Sequence, residues 1–342
     1  MIAPLPRGQV LVGDAAKRLR ELPDDSVDMV LTSPPYFLLR DYAVDGQLGN
    51  ERQVDDWVDG LLRVTRELRR VLVPSGTFWL NLGDTYSTHL RQGTPRKSLL
   101  LGPERLALAM AADGWVLRNK IVWAKTNSRP TSVKDRLSAT WEPIYLFAAS
   151  SAPGQRTFFD LDVVSVPHMS RPPRSRPRNR RAGLEAWRGP NTDNARGLVA
   201  MKQAGRVGHV LGKNPGDVWR LASSNFRGGH HATFPITLAE RAIAAGCPEA
   251  RCTVCQVPYR RAIRRLGAAA VRGALDPGCT CEAPSEPGIV LDPFMGAGST
   301  AVAAEQLQRD WLGIELNPAF AVPSEQRIRN ARNVDDEKRR AA

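Results

Sequence analysis

The sequence predicts an α/β fold in which a mostly parallel sheet carries helices on both faces. Two observations lead to this prediction. Short apolar runs with strand character alternate along the chain with longer amphipathic runs of helical periodicity. Near the C-terminus, an apolar strand over 289–292 is followed by a glycine-rich turn and a helix start at Ser299, an arrangement that makes room for a nucleotide-like cofactor.

The individual elements follow in a regular order. The predicted strands cover 9–12, 27–31, 77–82, 115–123, 141–147, 289–292 and 311–314. The predicted helices cover 15–22, 54–72, 99–112 and 238–246, with a further helix from Ser299 and a charged surface helix over 324–340. With 342 residues, 42% of them hydrophobic, the chain can form one large α/β domain plus a smaller module. The sequence shows no signal peptide and no apolar membrane span, so we expect a soluble, intracellular protein.

The glycine-rich turn contains Gly296 and Gly298, which lack a Cβ atom, so the backbone can adopt positive φ and approach a ligand closely. The strand that follows ends in Glu315, 23 residues after Asp292. This is close to the spacing at which a carboxylate at the end of the second strand binds ribose hydroxyls. The turn therefore predicts a cofactor with free ribose hydroxyls, although glycine placed there for tight packing alone is an alternative.

The second motif, Ser33-Pro34-Pro35-Tyr36, follows the predicted strand over 27–31. On its own it is compatible with a plain turn, because prolines are common in loops. Together with the glycine-rich turn, it predicts that the two C-terminal strands, 289–292 and 311–314, lie in the same sheet as the two N-terminal strands, 9–12 and 27–31. The chain would then bring both motifs to one sheet.

In this order, the two motifs resemble those of the permuted, beta-type group of S-adenosylmethionine-dependent DNA amino-methyltransferases, the cytosine-N4 and adenine-N6 family. In that group the Pro-Pro-Tyr motif precedes the cofactor motif, and a target-recognition region lies between them. The resemblance covers nearly the whole chain, with further similar segments at 13–14, 80–84, 132–136, 216–219 and 232–235. It implies a Rossmann-like methyltransferase fold in permuted order, with a target-recognition region, to which the cysteine pairs described below add a small zinc-ribbon-like insert.

The resemblance also implies roles for individual residues. An exocyclic amine is a poor nucleophile because its lone pair is delocalised into the ring, so hydrogen-bond acceptors must polarise it. The Ser33 hydroxyl and the Pro34 carbonyl would accept the amine hydrogens, Pro35 would stiffen the loop, and Tyr36 would stack on a base extruded from the duplex. S-adenosylmethionine would contact the residues expected to form its site: Asp14 near the adenine, Glu315 on the ribose, and Thr32, Asp292, Pro293, Phe294, Gly296, Gly298 and Asn317.

The identity of the methylated atom is predicted from the first residue of the Pro-Pro-Tyr motif. Serine there resembles the cytosine-N4 enzymes, whereas adenine-N6 enzymes more often carry aspartate, so we predict cytosine N4 with adenine N6 as the alternative. Methylation at cytosine carbon 5 is excluded, because it requires a thiolate that its family carries in a Pro-Cys pair, absent from this sequence.

Two further classes of protein compete with this prediction. Amine methyltransferases that act on RNA or on a protein amide usually place the cofactor motif first and lack a central basic region. A non-catalytic, zinc-bearing DNA-binding protein would be expected to lack Glu315 or the Ser33 to Tyr36 loop, and both are present.

Charge indicates a polyanionic partner. The net charge is +13 and the pI is about 10.1. Between His168 and Lys213 there are nine arginines and two lysines against two acidic residues, so we expect this segment to contact DNA. A disordered linker is the alternative. The residues predicted to bind DNA are Arg171, Arg174, Arg176, Arg178, Arg180 and Arg181.

The expected partner is double-stranded DNA, with no membrane, and the resemblance adds a homodimer and a companion restriction endonuclease as further candidates. The expected location is DNA-associated in the cytoplasm, for a prokaryotic or phage-encoded protein.

All five cysteines lie between 247 and 281. Four of them form two close pairs, Cys252 with Cys255 and Cys279 with Cys281, which predicts a structural zinc site. Buried or adventitious thiols are the alternative. The pairs lie in an insert over 250–287, whose basic run over 260–265 predicts either phosphate contacts or a solvated helix face.

The predicted domain organisation follows from these segments. Residues 1–165 form the catalytic half of the fold, and 166–215 form the basic target-recognition region. Residues 216–249 and 288–342 form the cofactor-binding half, which the cysteine insert at 250–287 interrupts.

Overall fold

The structure is a computed structural model that describes residues 5–128, 130–149, 156–167, 209–224, 234–266 and 269–341. Within these ranges, its strands are β1 (Gln9–Val12), β2 (Val27–Thr32), β3 (Leu72–Asn81), β4 (Val116–Lys125), β5 (Trp141–Ala148), β6 (Val218–Leu221), β7 (Arg251–Cys252), β8 (Arg260–Leu266), β9 (Ala269–Asp276), β10 (Ser285–Glu286), β11 (Ile289–Asp292) and β12 (Asp310–Glu315). Eight of them form one sheet in the order β1-β12-β11-β2-β3-β5-β4-β6.

The sheet is mostly parallel, as predicted. Strands β1, β12, β11, β2 and β3 run parallel to one another, and β5 is antiparallel to both β3 and β4. The C-terminal strands β11 and β12 lie between the N-terminal strands β1 and β2, with Val290 opposite Met29 and Leu291 opposite Val30. The carboxyl ends of β2 and β11 therefore meet at one edge of the sheet, where α/β proteins bind ligands.

The helices are α1 (Ala15–Arg20), α2 (Val54–Val71), α3 (Gly102–Ala112), α4 (Leu161–Val164), α5 (Ile236–Gly246), α6 (Ser299–Gln306) and α7 (Pro318–Ala341). Helix α2 packs on α1 and α3, and helix α6 packs on α5 and α7. Successive residues of β3 face opposite layers, because side chains alternate along a strand. Phe78 belongs to the apolar cluster of α1 to α3, whereas the Thr77 hydroxyl donates to the Gly246 carbonyl at the end of α5 over 3.1 Å. Helices thus cover both faces of the sheet, as predicted.

Several elements differ from the sequence prediction, among them helix α3, which begins at Gly102 rather than at 99. Strand β3 begins at Leu72, directly after α2, rather than at Thr77. Helix α7 begins at Pro318 rather than at 324, because the Asn317 side chain accepts the Ala319 N–H over 2.9 Å and so caps the helix. The basic run over 260–265 is strand β8 of a hairpin with β9, so the prediction of a helix face was wrong.

Contacts divide the chain into two compact units. One contains residues 1–160, 216–260 and 275–342 and includes the eight-stranded sheet; the other contains residues 161–215 and 261–274. The predicted four-part domain organisation stays a prediction. Within the described ranges, none of the helices combines the length and apolar character that crossing a bilayer requires.

Candidate functional site

A cleft opens at the carboxyl edge of the sheet, where β2, β11 and β12 end. Its space amounts to about 1010 Å³, including open solvent at its mouth. Its walls include most of the residues predicted from the two motifs: Asp14, Ser33, Pro34, Pro35, Tyr36, Asp292, Pro293, Phe294, Gly296 and Glu315. The fold therefore brings the two motifs together, although they lie at opposite ends of the sequence.

Asp292 joins the two motifs. Its Oδ1 atom accepts the Thr32 hydroxyl over 2.6 Å and the Phe294 N–H over 3.1 Å, and its Oδ2 atom accepts the Thr300 hydroxyl over 2.6 Å. Burial raises the pKa of Asp292 to about 6, although these donors oppose the rise. The buried carboxylate thus links the end of β2 to the glycine-rich turn and to the first turn of α6.

Glu315 shapes the turn from the opposite side. Its two carboxylate oxygens accept the Gly296 N–H over 2.8 Å and the Asn317 N–H over 2.9 Å. Gly296 has a φ of +51°, a backbone conformation that glycine adopts without a Cβ clash. Burial raises the pKa of Glu315, and the backbone N–H donors oppose the rise. The carboxylate lines the cleft at the position expected for a ribose-binding acid.

Three of the predicted cofactor contacts do not line the cleft. Thr32 is fully buried, and its hydroxyl is used by Asp292. Gly298 has a φ of +75° and is the N-cap residue that precedes α6. Asn317 caps α7 and donates its side-chain amide to the Tyr42 carbonyl over 3.3 Å. Their positions indicate that they support the cleft rather than form its surface.

The Ser33 to Tyr36 loop is fixed by contacts with Trp57 and with Gly83. The indole N–H of buried Trp57 donates to the Pro35 carbonyl over 2.9 Å. The Tyr36 ring lies against Gly83, where any Cβ atom would overlap it. The close approach explains why glycine stands at position 83, two residues after β3 ends. Tyr36 is among the residues that line the cleft.

The Tyr36 hydroxyl is the centre of a polar cluster. It accepts the Ser33 hydroxyl over 3.1 Å, and it lies 3.0 Å from Glu142 Oε2 and 3.2 Å from Asn81 Oδ1. Glu142 also forms an ion pair with Lys125. Burial, followed by the negative charge of Glu142, raises the pKa of Tyr36 well above its ordinary range. The phenol therefore keeps its proton, and Tyr36 acts as a hydrogen-bond donor and acceptor.

Sequence reasoning did not identify several residues of this region. Asn81, Lys125 and Glu142 belong to strands β3, β4 and β5. Asn81 lies in the 80–84 segment that carries the family resemblance, but no role was predicted for it, and no motif marks Lys125 or Glu142. The loop after Tyr36 also contributes to the cleft, through Leu39, Arg40, Tyr42, Val44, Gly46, Gln47 and Leu48. Phe234 lines it as well, and its segment was among those that carry the family resemblance.

The four cysteines of the predicted zinc site come together. The sulfur atoms of Cys252, Cys255, Cys279 and Cys281 all lie within 4.8 Å of one another. Backbone N–H groups of Cys255 and Val254 lower the pKa of Cys252 to about 7, which favours its thiolate form. Strands β7 and β10 pair at the base of this cluster. Four convergent thiols suit a tetrahedral metal ion such as zinc.

The predicted DNA-binding arginines cannot be placed in this arrangement. Arg171, Arg174, Arg176, Arg178, Arg180 and Arg181 lie outside the described residues.

Comparison with known proteins gives consistent similarities. A family model for DNA methylases of the N6 and N4 type matches residues 27–324. The Type II methyltransferase M.SmaI of Serratia marcescens is 29% identical over 342 residues, covering 94% of this chain and 90% of the relative. M.XycI of Xanthomonas campestris pv. cyanopsidis is 30% identical over 345 residues, covering 94% and 88%. M.SfiI of Streptomyces fimbriatus is 46% identical over 168 residues, which are 46% of this chain and 39% of that relative.

Solved structures share the fold. The cytosine-N4-specific PvuII DNA methyltransferase superposes with a TM-score of 0.56 at 18% identity, covering 96% of this chain and 93% of that one. A Thermus thermophilus protein, provisionally assigned as a DNA modification methylase and complexed with S-adenosyl-L-methionine, gives a TM-score of 0.50 at 22% identity, covering 95% of each chain. The similarity extends over nearly the whole chain, as the sequence motifs predicted.

Proposed function

This chain belongs to the N6 and N4 family of DNA methylases, and on that premise we propose that it methylates the exocyclic N4 amine of cytosine in double-stranded DNA. Membership confirms the expectations of a DNA amino-methyltransferase and of S-adenosylmethionine as the methyl donor. The assignment to cytosine N4 and the roles of individual residues are the proposed part.

One observation carries the proposal for the catalytic loop. The Ser33 hydroxyl donates its hydrogen to Tyr36 and lies in the wall of the cleft. Because a hydroxyl has two lone pairs, Ser33 Oγ can still accept a hydrogen from an amine placed in the cleft. A hydrogen bond accepted from the amine in this way favours a pyramidal nitrogen with an available lone pair. The Pro34 carbonyl would accept the second amine hydrogen.

The cofactor side of the cleft fits S-adenosylmethionine. The Glu315 carboxylate would accept the ribose hydroxyls, since both of its oxygens lie beside the turn and retain lone pairs. Phe294 and Pro293 offer apolar surface, and Asp14, which caps α1 through the Lys17 N–H over 2.9 Å, would lie near the adenine. When bound, the cofactor supplies an electrophilic methyl group on a sulfonium. The protein's part is to hold the amine in line with that methyl.

Serine at position 33 supports cytosine N4 over adenine N6, because the resemblance associates serine with N4 enzymes. The PvuII enzyme that shares the fold is also described as cytosine-N4-specific. The target base would be flipped out of the duplex, with Tyr36 stacked on it, because its amine cannot be reached inside the helix.

The partners follow from the same proposal. M.SmaI, M.XycI and M.SfiI are Type II methyltransferases, which supports a companion restriction endonuclease with the same target sequence. We also propose that the four-cysteine cluster holds a structural zinc ion, that the arginine-rich segment over 168–213 contacts DNA, and that a homodimer is a candidate assembly.

Sequencing of host DNA with and without the gene tests this function. We expect N4-methylcytosine at one recurring sequence only when the gene is present. N6-methyladenine at a recurring sequence would instead assign the adenine activity, and unmodified DNA in an expressing host would contradict both.

A further inference from the structure

Glu142 lies behind the catalytic loop rather than in the cleft. Its side chain is 16% exposed and is absent from the residues that line the cleft. Its carboxylate lies 3.0 Å from the Tyr36 hydroxyl and 3.3 Å from the Asn81 side-chain amide, and it forms an ion pair with Lys125. No sequence motif marks this residue, and the proposed function does not use it.

The cluster around Glu142 fixes the direction of a hydrogen-bond chain. An ionised carboxylate only accepts hydrogen bonds, and a phenol has a single hydrogen to donate. The Tyr36 hydrogen therefore points toward Glu142 or the neighbouring Asn81 oxygen, and the Tyr36 oxygen is left to accept the Ser33 hydrogen. Ser33 Oγ then presents only lone pairs to the cleft.

Lys125 keeps the chain in this direction. Its ammonium group contacts Glu142 and lies 4.8 Å from the centre of the Trp123 ring. An ammonium group only donates hydrogen bonds, so the carboxylate oxygen that it contacts serves as an acceptor. Asn81 adds a second restraint, because its amide donates to both Glu142 and the Pro143 carbonyl. Glu142 is thus held as an acceptor from two sides.

We propose that Glu142 is a positioning residue for methyl transfer: acting through the Tyr36 hydroxyl, it holds Ser33 Oγ as an acceptor for the target amine. Glu142 itself does not touch the substrate. This inference rests on the proposed function of Ser33 and adds a third residue, on the second strand from β2, that determines which way the Ser33 hydrogen points.

Helix α3 supplies a matched control, Glu104, whose partners lie on β5 and β4. Glu104 forms a hydrogen bond with the Tyr145 hydroxyl over 3.1 Å and an ion pair with Lys120 over 2.6 Å. The side-chain types and contacts repeat those of Tyr36, Glu142 and Lys125, but Glu104 and Tyr145 do not line the cleft. A general effect of removing a carboxylate that binds a tyrosine and a lysine of this sheet would appear at both places, whereas an effect on the catalytic loop would appear only at Glu142.

The test is a double-mutant cycle on the single-turnover rate of methyl transfer to duplex DNA. Glu142→Gln keeps the side-chain volume but introduces an amide that can donate to Tyr36, and we expect it to lower the rate on the order of tenfold or more. Tyr36→Phe removes the hydroxyl through which Glu142 acts. The double variant is then expected to be no slower than Tyr36→Phe alone, because the second change has nothing left to act on.

Further measurements distinguish positioning from structural support. S-adenosylmethionine affinity and the thermal unfolding midpoint of Glu142→Gln are expected to match the wild type, and Glu104→Gln is expected to keep the wild-type rate. If Glu142→Gln does not fold, Glu142→Asp is used instead, because it withdraws the carboxylate from Tyr36 while keeping its charge. It should show the same loss of rate and the same masking by Tyr36→Phe.

Several results would overturn the inference. These are a wild-type rate in Glu142→Gln, multiplied effects in the double variant, an equal loss of rate in Glu104→Gln, or a parallel loss of cofactor affinity. The proposed function is tested separately by Ser33→Ala. A slow Ser33→Ala with a normal Glu142→Gln would reject only the role of Glu142, whereas a wild-type rate in Ser33→Ala would reject the role of Ser33 on which it rests.

Discussion

Thr32, the last residue of β2, donates its hydroxyl hydrogen to Asp292, the last residue of β11, over 2.6 Å and 260 positions of sequence. Thr300, in the first turn of α6, binds the other Asp292 oxygen and also reaches the Leu31 carbonyl over 3.3 Å. These buried bonds connect the strand that carries the Ser33 loop to the strand that carries the glycine-rich turn. One buried carboxylate therefore adds side-chain hydrogen bonds to the backbone pairing of β2 with β11, where the two halves of the cleft meet.

Removing the Thr32 hydroxyl should weaken this connection. Thr32→Val keeps the shape but leaves Asp292 with one donor fewer, so we expect the free energy of unfolding to fall by about 1 to 3 kcal/mol. Thr32→Ser keeps the hydroxyl and is the matched control. Denaturant unfolding of the three proteins provides the measurement, and equal stability of Thr32→Val and the wild type would show that the bond contributes nothing.

The pH dependence of stability should report Asp292. Burial raises the pKa of this carboxyl to about 6 in the folded protein, from 3.8 as its ordinary value. Between these values the folded state binds more protons than the unfolded state, so this group favours folding at low pH and loses that contribution as the pH rises through about 6. Asp292→Asn cannot titrate. We expect the stability of the wild type relative to Asp292→Asn to be greater at about pH 4.5 than at about pH 7.5. A pH-independent difference would contradict the buried, titrating carboxyl.

The cofactor assignment predicts losses at two positions. Gly296→Val introduces a branched side chain at a φ of +51°, and Glu315→Ala removes the expected ribose acceptor. Both should weaken S-adenosylmethionine binding measured by calorimetry. Gly8→Val is the control for backbone strain, since Gly8 has a φ of +66° with open space around it and lies outside the cleft. Wild-type affinity in both Gly296→Val and Glu315→Ala would place the cofactor elsewhere.

The architecture of the sheet followed from the sequence because its signals are local. Apolar runs, turn glycines and prolines mark where strands end, and the order of the two motifs indicated that β11 and β12 join β1 and β2. The cleft residues on those strand ends were found for the same reason. The polar cluster around the Tyr36 hydroxyl was not predicted from the sequence. Its members Asn81, Lys125 and Glu142 come together only through the pairing of β3, β5 and β4.

The start of α7 and the structure of the cysteine insert also could not be predicted from the sequence. The start of α7 depends on the cap at Asn317. From the sequence alone, the polar side chain of Asn317 suited a cofactor contact as well as a helix cap. The basic run in β8 lacks a hydrophobic period that distinguishes strand from helix, and pairing with β9 decides its structure.

The cysteine cluster predicts bound metal. Purified protein should contain one zinc ion per chain by elemental analysis, since four thiols within 4.8 Å provide a complete tetrahedral set. Cys252→Ser and Cys279→Ser should lose it, whereas Cys247→Ala should retain it, because Cys247 is buried outside the cluster. Stable, metal-free wild-type protein would rule the site out.

The basic segments predict salt-dependent DNA affinity. Replacing Arg174, Arg176 and Arg178 with alanine should weaken DNA binding and flatten its salt dependence, with a change of about 0.9 in the log-log slope for each phosphate that is no longer neutralised. Cofactor affinity, measured on the same variants, should not change. If affinity and slope both stay at wild-type values, recognition has to be sought elsewhere, and exposed Arg264 on the β8 strand is then the first position to replace.

The most direct test of the central claim, that the cleft between the two motifs transfers a methyl group to cytosine N4, is mass spectrometry of nucleosides from duplex DNA incubated with purified protein and trideuteromethyl-labelled S-adenosylmethionine. We expect labelled N4-methyldeoxycytidine from the wild type, and about a hundredfold less from Ser33→Ala at unchanged cofactor affinity, by analogy with the loss of an oxyanion-stabilising donor. Label in deoxyadenosine alone would contradict the choice of base, and full labelling of deoxycytidine by Ser33→Ala would contradict the catalytic role of the cleft residue on which the account depends.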